Sequence, residues 1–167
     1  VLASSIWINP VAKGVPEITK SETMQQIRDL VKEDPQAIWL VADMAYPATN
    51  IPAMAGADCL NTTQTYPQKT RWEMLDPEGE YEDIYNRYCH IRASFGSKTM
   101  LELVSTDYVE VTLSPEDLKK LNIRYIVSTN DFDEKIAAGT TNIFTDSGIE
   151  FQKYYEGAQL SIYRCVY

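Results

Sequence analysis

Apolar residues recur every three or four positions over residues 24–31, which predicts a helix. The preceding segment, Thr19–Glu22, has the form of a capping box. Asp34-Pro35 ends the helix, because proline disfavours helical backbone in the residue before it. The run Ala37–Ala42 is then continuously apolar, which is typical of a strand buried on both faces. The pattern therefore opens with a helix and a buried strand.

Polar and apolar side chains alternate over residues 108–113, which predicts a strand with one buried face. We expect this strand to form a hairpin with residues 99–104, around Ser105–Asp107. Ser114-Pro115 then marks the start of a short helix, with an N-cap serine and a proline at the first helical position. Asn122 closes that helix, and Ile123–Val127 predicts the next strand.

The end of the chain predicts a β-hairpin, formed by residues 149–155 and 159–167 around Gly157. Taken together, these elements predict an α/β fold, with α+β as the alternative, in which helices pack on a mixed β-sheet. Residues 1–18 indicate an irregular lead-in. Residues 43–77 contain several prolines and predict a loop-rich insertion with short strands or turns. The length favours one domain over residues 1–167.

The charge balance excludes several partners. The chain has 24 Asp and Glu against 15 Lys and Arg, a net charge of -9, so it offers no basic surface for nucleic acid or anionic lipid. Its longest strongly apolar run, Ala37–Ala42, is far shorter than the roughly 20 residues that cross a bilayer, so we expect no direct insertion in a membrane. Because the chain starts at Val1 without a methionine or a signal-like segment, we expect a fragment or a processed product.

Motifs for catalysis, metals and cofactors are sparse. His90 is the single histidine, and the sequence has no GxSxG elbow, paired-histidine spacing or glycine-rich phosphate loop. The acids between residues 73 and 83 could gather a hard cation, but a solvated charged face explains them better. Cys59, Cys89 and Cys165 fit either one disulfide with a free thiol or three reduced thiols. We therefore expect no metal, no cofactor and no catalytic residue.

Aromatic residues give the strongest indication of binding. The chain has 11 tyrosines and 3 tryptophans, and exposed aromatic rings with polar tips are common in carbohydrate and peptide recognition. The alternative is that these rings cover the edge of a sheet. The candidate ligand-binding residues, which lie in and after the loop-rich segment, are Tyr66, Arg71, Trp72, Tyr81, Tyr85, Asn86, Arg87 and His90.

Short motifs are spread along most of the chain. The most distinctive is the stretch from Tyr85 to Ile91, and another is the helix over residues 118–121 that leads into Tyr125-Ile126-Val127. The others are Asn9-Pro10, Gly14, Asp34-Pro35, Trp39, Leu60-Asn61, Tyr66-Pro67, Trp72, Leu75-Asp76-Pro77, Gly79 and Tyr81. This set resembles the soluble C-terminal region of large multi-span bacterial membrane proteins of the glycosyltransferase-C-like type.

The resemblance implies a non-catalytic domain on the extracytoplasmic face of the cell membrane, within a protein of cell-envelope glycan assembly. In that class a bundle of transmembrane helices precedes the domain and uses lipid-linked sugar donors, and the catalytic acid lies in an early loop that is absent here. The implied partners are the transmembrane region of the same polypeptide and a glycan or a cell-envelope protein. The sequence departs from the full-length pattern in having no transmembrane run, which truncation explains.

Two other functions stay open from the residues alone. An independent hydrolase or transferase on carbohydrate or ester substrates would use His90 with Asp76 or Asp83, and His90 would have to face a pocket within reach of a carboxylate. A protein-interaction module would instead use an exposed sheet edge or the tyrosine-rich segment.

Overall fold

The computed structural model of the protein describes residues 20–44, 47–129, 131–137 and 142–167, so the predicted lead-in, residues 1–18, lies outside the described residues. None of the helices in these stretches is long and apolar enough to cross a membrane. Apart from a 3-10 turn at Ala48–Asn50, the elements are α1 (Glu22–Glu33), β1 (Ile38–Val41), α2 (Ile51–Met54), β2 (Asp58–Cys59), β3 (Thr63–Gln64), α3 (Lys69–Leu75), α4 (Glu82–Tyr85), β4 (Cys89–Phe95), β5 (Met100–Ser105), β6 (Tyr108–Leu113), α5 (Pro115–Lys120), β7 (Ile123–Thr129), α6 (Phe132–Ala137), α7 (Asn142–Thr145), β8 (Glu150–Glu156) and β9 (Leu160–Val166).

Helix α1 forms where the apolar spacing predicts it. The side chain of Ser21 caps the helix by accepting a hydrogen bond from the backbone N–H of Met24. Thr19, where the capping-box pattern starts, lies outside the described residues. The helix ends at Glu33, just before Asp34-Pro35, and buries Met24, Ile27 and Leu30.

The first sheet has the strand order β2-β1-β7-β9-β8. Strand β1 is parallel to β2 and β7, whereas β9 is antiparallel to β7 and β8, which confirms the C-terminal hairpin. One face packs Trp39, Val41 and Tyr125 against α1. The other face contributes Leu40 and Ile126 to the larger core. Because both of its faces are covered, β1 is a continuous apolar run, as the pattern of Ala37–Ala42 predicts.

The second sheet has the strand order β3-β4-β6-β5. Strands β5 and β6 form the predicted antiparallel hairpin, and β6 is parallel to β4. The inward side chains of β6 are fully buried, while the residues between them keep partial access to solvent. An isolated bridge between Ala42 and Ala93 joins the two sheets. The inner face of this sheet, including Ile91 and Val111, packs with Leu40 in one core.

The fold is therefore a mixed α+β fold with helices packed on mixed sheets and a C-terminal hairpin. The sequence pattern predicts one sheet, whereas the strands divide between two. The division follows from the two kinds of strand, because the parallel strands of the first sheet need cover on both faces and the alternating strands of the second provide one such cover. The segment over residues 43–77 contains α2, β2, β3 and α3, which are too short to show a hydrophobic period.

Helix α5 shows how closely local sequence rules apply here. Ser114 and Asp117 form a reciprocal capping box, with the Ser114 N–H donating to the Asp117 carboxylate at 2.7 Å. Pro115 occupies the first turn, as predicted. Asn122 follows with a positive φ of 54°, the left-handed conformation that asparagine tolerates after a helix.

Candidate functional site

A cavity of about 240 Å³ lies where the chain crosses from one sheet to the other. Strand β2 is the edge of the first sheet, β3 is the edge of the second, and the crossing residues between them continue into α3. We call this space the seam cavity. Its lining is Cys59, Leu60, Thr62, Thr63, Gln64, Thr65, Tyr66, Gln68, Arg71 and Trp72.

Asn61 holds the crossing segment in place. Its side chain is fully buried. Its Oδ1 accepts a hydrogen bond from the Val41 N–H at 2.9 Å, and its Nδ2 donates to the Val41 carbonyl at 2.7 Å. The backbone N–H of Leu60 also donates to the Trp39 carbonyl at 2.9 Å. The amide of Asn61 thus continues the hydrogen-bond ladder of β1 after strand β2 has ended.

Gln64 and Trp72 form the inner wall of the cavity, and the ring of Tyr85 lies behind them. Gln64 Oε1 accepts from Trp72 Nε1 at 2.7 Å, and Gln64 Nε2 donates to the carbonyls of Tyr85 at 2.7 Å and Arg87 at 3.0 Å. The rings of Trp72 and Tyr85 stack with centroids 5.4 Å apart. Both rings belong to the core, with 2% and 3% exposure. This wall is rigid, because its buried polar atoms are satisfied.

The open side of the cavity carries neutral polar groups and one exposed ring. Tyr66 is 83% exposed. Thr65 and Gln68 are also exposed, and Thr62 is half-buried. Hydroxyl and amide side chains both donate and accept hydrogen bonds. This side of the cavity can therefore meet a ligand that itself carries mixed donors and acceptors.

Arg71 is held beside the cavity by Asp58. Its Nη1 donates to Asp58 Oδ1 at 3.0 Å, and its Nη2 forms a second bond to Oδ2, so the pair is bidentate. The side chain of Arg71 is 16% exposed and that of Asp58 is 47% exposed. The carboxylate thus fixes the plane and position of the guanidinium.

His90 contacts the cavity lining through Thr63. Strands β3 and β4 place these residues directly opposite each other. Thr63 Oγ1 lies 3.0 Å from His90 Nδ1, and it also accepts a hydrogen bond from Asn50 Nδ2 at 3.0 Å. Thr63 lines the cavity, whereas His90 does not contribute to the lining. The network orients the Thr63 hydroxyl.

The structure places the other predicted residues outside the lining. Tyr81 is half-buried and donates its backbone N–H to Asp76. Asn86 is exposed at the end of α4, and the Arg87 guanidinium donates to the carbonyl of Asp83. Three of the predicted binding residues, Tyr66, Arg71 and Trp72, line the cavity together. Tyr85 lies behind them.

The sequence pattern does not identify the rest of the lining. Most of these residues lie in a polar run that breaks the hydrophobic pattern and predicts only a loop-rich segment with short strands or turns. An uncharged cluster of hydroxyl and amide side chains directly before an aromatic residue was the available signal. The missed lining residues are Cys59, Leu60, Thr62, Thr63, Gln64, Thr65 and Gln68.

Within the acidic segment over residues 73–83, Asp76 has a structural role. This residue is buried, and its two carboxylate oxygens accept hydrogen bonds from the backbone N–H groups of Glu80 at 2.9 Å and Tyr81 at 2.7 Å. Asp83 is exposed. Within the described residues, no group of three or more His, Cys, Asp or Glu side chains could hold a metal ion.

The three cysteines are free and buried. Burial, reinforced by the neighbouring Asp58 carboxylate, raises the pKa of the Cys59 thiol to about 12. Burial also raises the pKa of Cys165 to about 12 and that of Cys89 to about 11. The cavity wall therefore carries a protonated, neutral thiol at Cys59 at physiological pH.

Comparison with known proteins gives one match. The model of a family described as a domain of unknown function (DUF7654) matches residues 17–167. No curated protein and no solved structure matches the chain.

Proposed function

The chain belongs to the DUF7654 family, and we propose that it is a non-catalytic carbohydrate-recognition domain that binds one sugar residue in the seam cavity. The observation that carries the proposal is the lining itself. Neutral hydroxyl and amide side chains surround a small cavity, beside a tyrosine ring that is 83% exposed. Sugars offer the matching chemistry, since their hydroxyls donate and accept and their C–H faces pack on aromatic rings.

The size of the cavity favours a single ring. Pockets for drug-sized ligands measure roughly 300–1,000 Å³, and the seam cavity, at about 240 Å³, is smaller. Its open side would leave the neighbouring units of a longer glycan in solvent, next to Tyr66. We therefore expect recognition of one unit of a glycan.

Preorganisation supports a binding role. Asn61 pins the crossing segment to β1, and Gln64 ties Trp72 to the backbone of residues 85–87. A site whose groups are already ordered loses less conformational entropy when a ligand binds. The lining can thus present its hydroxyls without first being arranged.

Two placements support binding over catalysis. His90 contacts the cavity through the Thr63 hydroxyl. Asp76, one of the carboxylates that an enzyme would pair with His90, is buried and already accepts two backbone N–H groups. An acid–base mechanism needs a free carboxylate or imidazole within hydrogen-bond reach of the reacting atom, whereas the Asp58 carboxylate beside the cavity is held by Arg71.

The cellular setting is proposed from the sequence resemblance. We propose that the domain stands on the extracytoplasmic face of the cell membrane, in a polytopic protein of cell-envelope glycan assembly, with the transmembrane region of the same polypeptide as its partner. The encoded sequence of the complete protein tests this. Hydrophobic segments of roughly 20 residues support the proposal, and a complete protein without them overturns it.

The binding proposal is tested by saturation-transfer NMR with four sugars: glucose, galactose, mannose and N-acetylglucosamine. We expect at least one to bind, and we expect Tyr66→Ala to weaken that binding at least about fivefold through loss of the aromatic contact. Tyr154→Ala is the matched control, since Tyr154 is also exposed, at 44%, but lies on the edge strand β8 away from the cavity lining.

The control variant should bind as the unmodified chain does. If none of the four sugars binds, or if Tyr154→Ala weakens binding as much as Tyr66→Ala, the seam cavity is not a sugar site. Retention of the native circular dichroism spectrum and melting temperature by both variants makes the comparison interpretable.

A further inference from the structure

The charge of the seam cavity is balanced within the fold. Among the described residues that line the cavity, Arg71 alone carries a charge. The partner of its guanidinium is Asp58, through the bidentate pair described above. Cys59 lies next to Asp58 in the chain and is neutral, because burial keeps its thiol protonated. A ligand in the cavity therefore meets an ion pair with no net charge.

Asp58 leaves part of the guanidinium available. Arginine has five N–H donors, and the carboxylate takes two of them. The remaining donors can serve neutral oxygens such as sugar hydroxyls. An anionic ligand would find the charge of Arg71 already matched by the Asp58 carboxylate, which is not itself part of the cavity lining.

We propose that the cavity selects neutral sugars over uronates, with Asp58 as the residue that sets this specificity. The inference rests on the proposed function and adds the class of sugar to it. A uronate carboxylate in the cavity would give up hydration without an unmatched cation to offset the cost, and roughly 1 kcal/mol of such a cost corresponds to about a fivefold difference in affinity. The net charge of -9 on the whole chain also disfavours the binding of a negatively charged sugar.

The experiment compares sugars that differ only at C6. Dissociation constants for glucose and glucuronate, and for galactose and galacturonate, are measured by NMR titration at pH 7 on the 167-residue chain. We expect the neutral sugar of at least one pair to bind at least about fivefold more tightly than its uronate. Equal or tighter binding of the uronate would overturn the inference while leaving the proposed function in place.

Asp58→Asn supplies the decisive variant. It removes the negative charge but keeps the shape of the side chain, so Arg71 gains an unmatched positive charge. We expect glucuronate to gain at least about fivefold in affinity relative to glucose. The matched control is Asp29→Asn, which breaks another exposed ion pair, with Lys32 at 3.0 Å, on helix α1. It should leave the preference of the cavity unchanged.

The outcomes separate the two proposals. If none of the four sugars binds the unmodified chain, the proposed function fails and the selectivity fails with it. If neutral sugars bind but Asp58→Asn leaves the preference unchanged, Asp58 does not set it and the inference is wrong. Should Asp58→Asn not fold, Arg71→Gln is measured instead. We expect it to widen the discrimination against glucuronate, because Asp58 then lacks its cation, and an unchanged or narrower ratio would overturn the inference.

Discussion

The two sheets of this protein are built from different kinds of strand. In the first sheet, the central strands β1 and β7 carry apolar residues on both faces and are covered on one side by α1 and on the other by the second sheet. In the second sheet, strand β6 buries every other residue and keeps its remaining side chains partly open to solvent. The centre of the first sheet therefore supplies stability, whereas polar side chains are accessible along β6 of the second sheet and at the seam.

The seam between the sheets combines properties of both. Its inner wall, with Trp72 and Gln64, is as buried as the first sheet, whereas its open side presents Thr65, Gln68 and Tyr66 to solvent. A rigid wall next to an accessible polar surface is the arrangement that a small-molecule site needs. The comparison therefore locates the candidate site where the two kinds of packing meet.

The largest difference should come from matched leucine truncations. Leu40 is fully buried at the centre of the first sheet, so Leu40→Ala should lower the free energy of unfolding by about 2–5 kcal/mol through lost contacts and a residual cavity. Leu103 is 38% exposed on the edge strand β5, so Leu103→Ala should lower the free energy of unfolding by only about 0.5 kcal/mol. Urea unfolding of both variants checks this, and equal losses would contradict the distinction between the sheets.

Asn61→Ala should have the next largest effect. The variant leaves the buried N–H and carbonyl of Val41 without the Asn61 amide, at a cost of about 2–4 kcal/mol in unfolding free energy. It should also weaken sugar binding, because the crossing segment loses its anchor. Asn86→Ala, at an exposed position on the end of α4, is the control and should change stability by less than about 0.5 kcal/mol. A loss of similar size in both variants would show that the Asn61 amide does not hold the seam.

The buried thiols predict a smaller effect that depends on pH. Each folded-state thiol pKa lies above 9.0, the ordinary value of the group, so the unfolded chain releases these protons first as the pH rises. Stability from this source is fully present below pH 9 and is lost as the pH rises toward 11 or 12. Urea unfolding at pH 7.5 and 9.5 should show a loss of about 1 kcal/mol per thiol.

The variant that isolates one thiol is Cys165→Ala, on strand β9 of the first sheet. This variant should lose less unfolding free energy between pH 7.5 and pH 9.5 than the unmodified chain, by the contribution of one thiol. If the loss of unfolding free energy is the same with and without Cys165, the pKa of this thiol does not differ between the folded and the unfolded chain.

The elements that the sequence predicts well are those whose local pattern reports their burial. Ala37–Ala42 predicts β1 because a strand covered on both faces has no polar positions, and Ser114-Pro115 predicts α5 because capping is a local interaction. The hairpins follow from alternation and turn residues in the same way. These signals depend only on neighbours in the chain.

The candidate site is harder to predict, because it depends on contacts that are distant in sequence. Strands β2 and β3 each have two residues and show no period. The pairing of Asn61 with Val41 spans 20 positions, so no pattern among neighbouring residues predicts it. Composition marks Tyr66, Trp72 and Tyr85 equally as binding candidates, yet the fold exposes the first and buries the other two.

The most direct test of the account is a map of backbone amide chemical shifts during titration with the tightest-binding neutral sugar. We expect the largest changes within residues 59–72, the segment that supplies the lining of the seam cavity. Changes centred on the outer face of the second sheet, at Arg92 and Glu110, or on helix α1, would contradict this site.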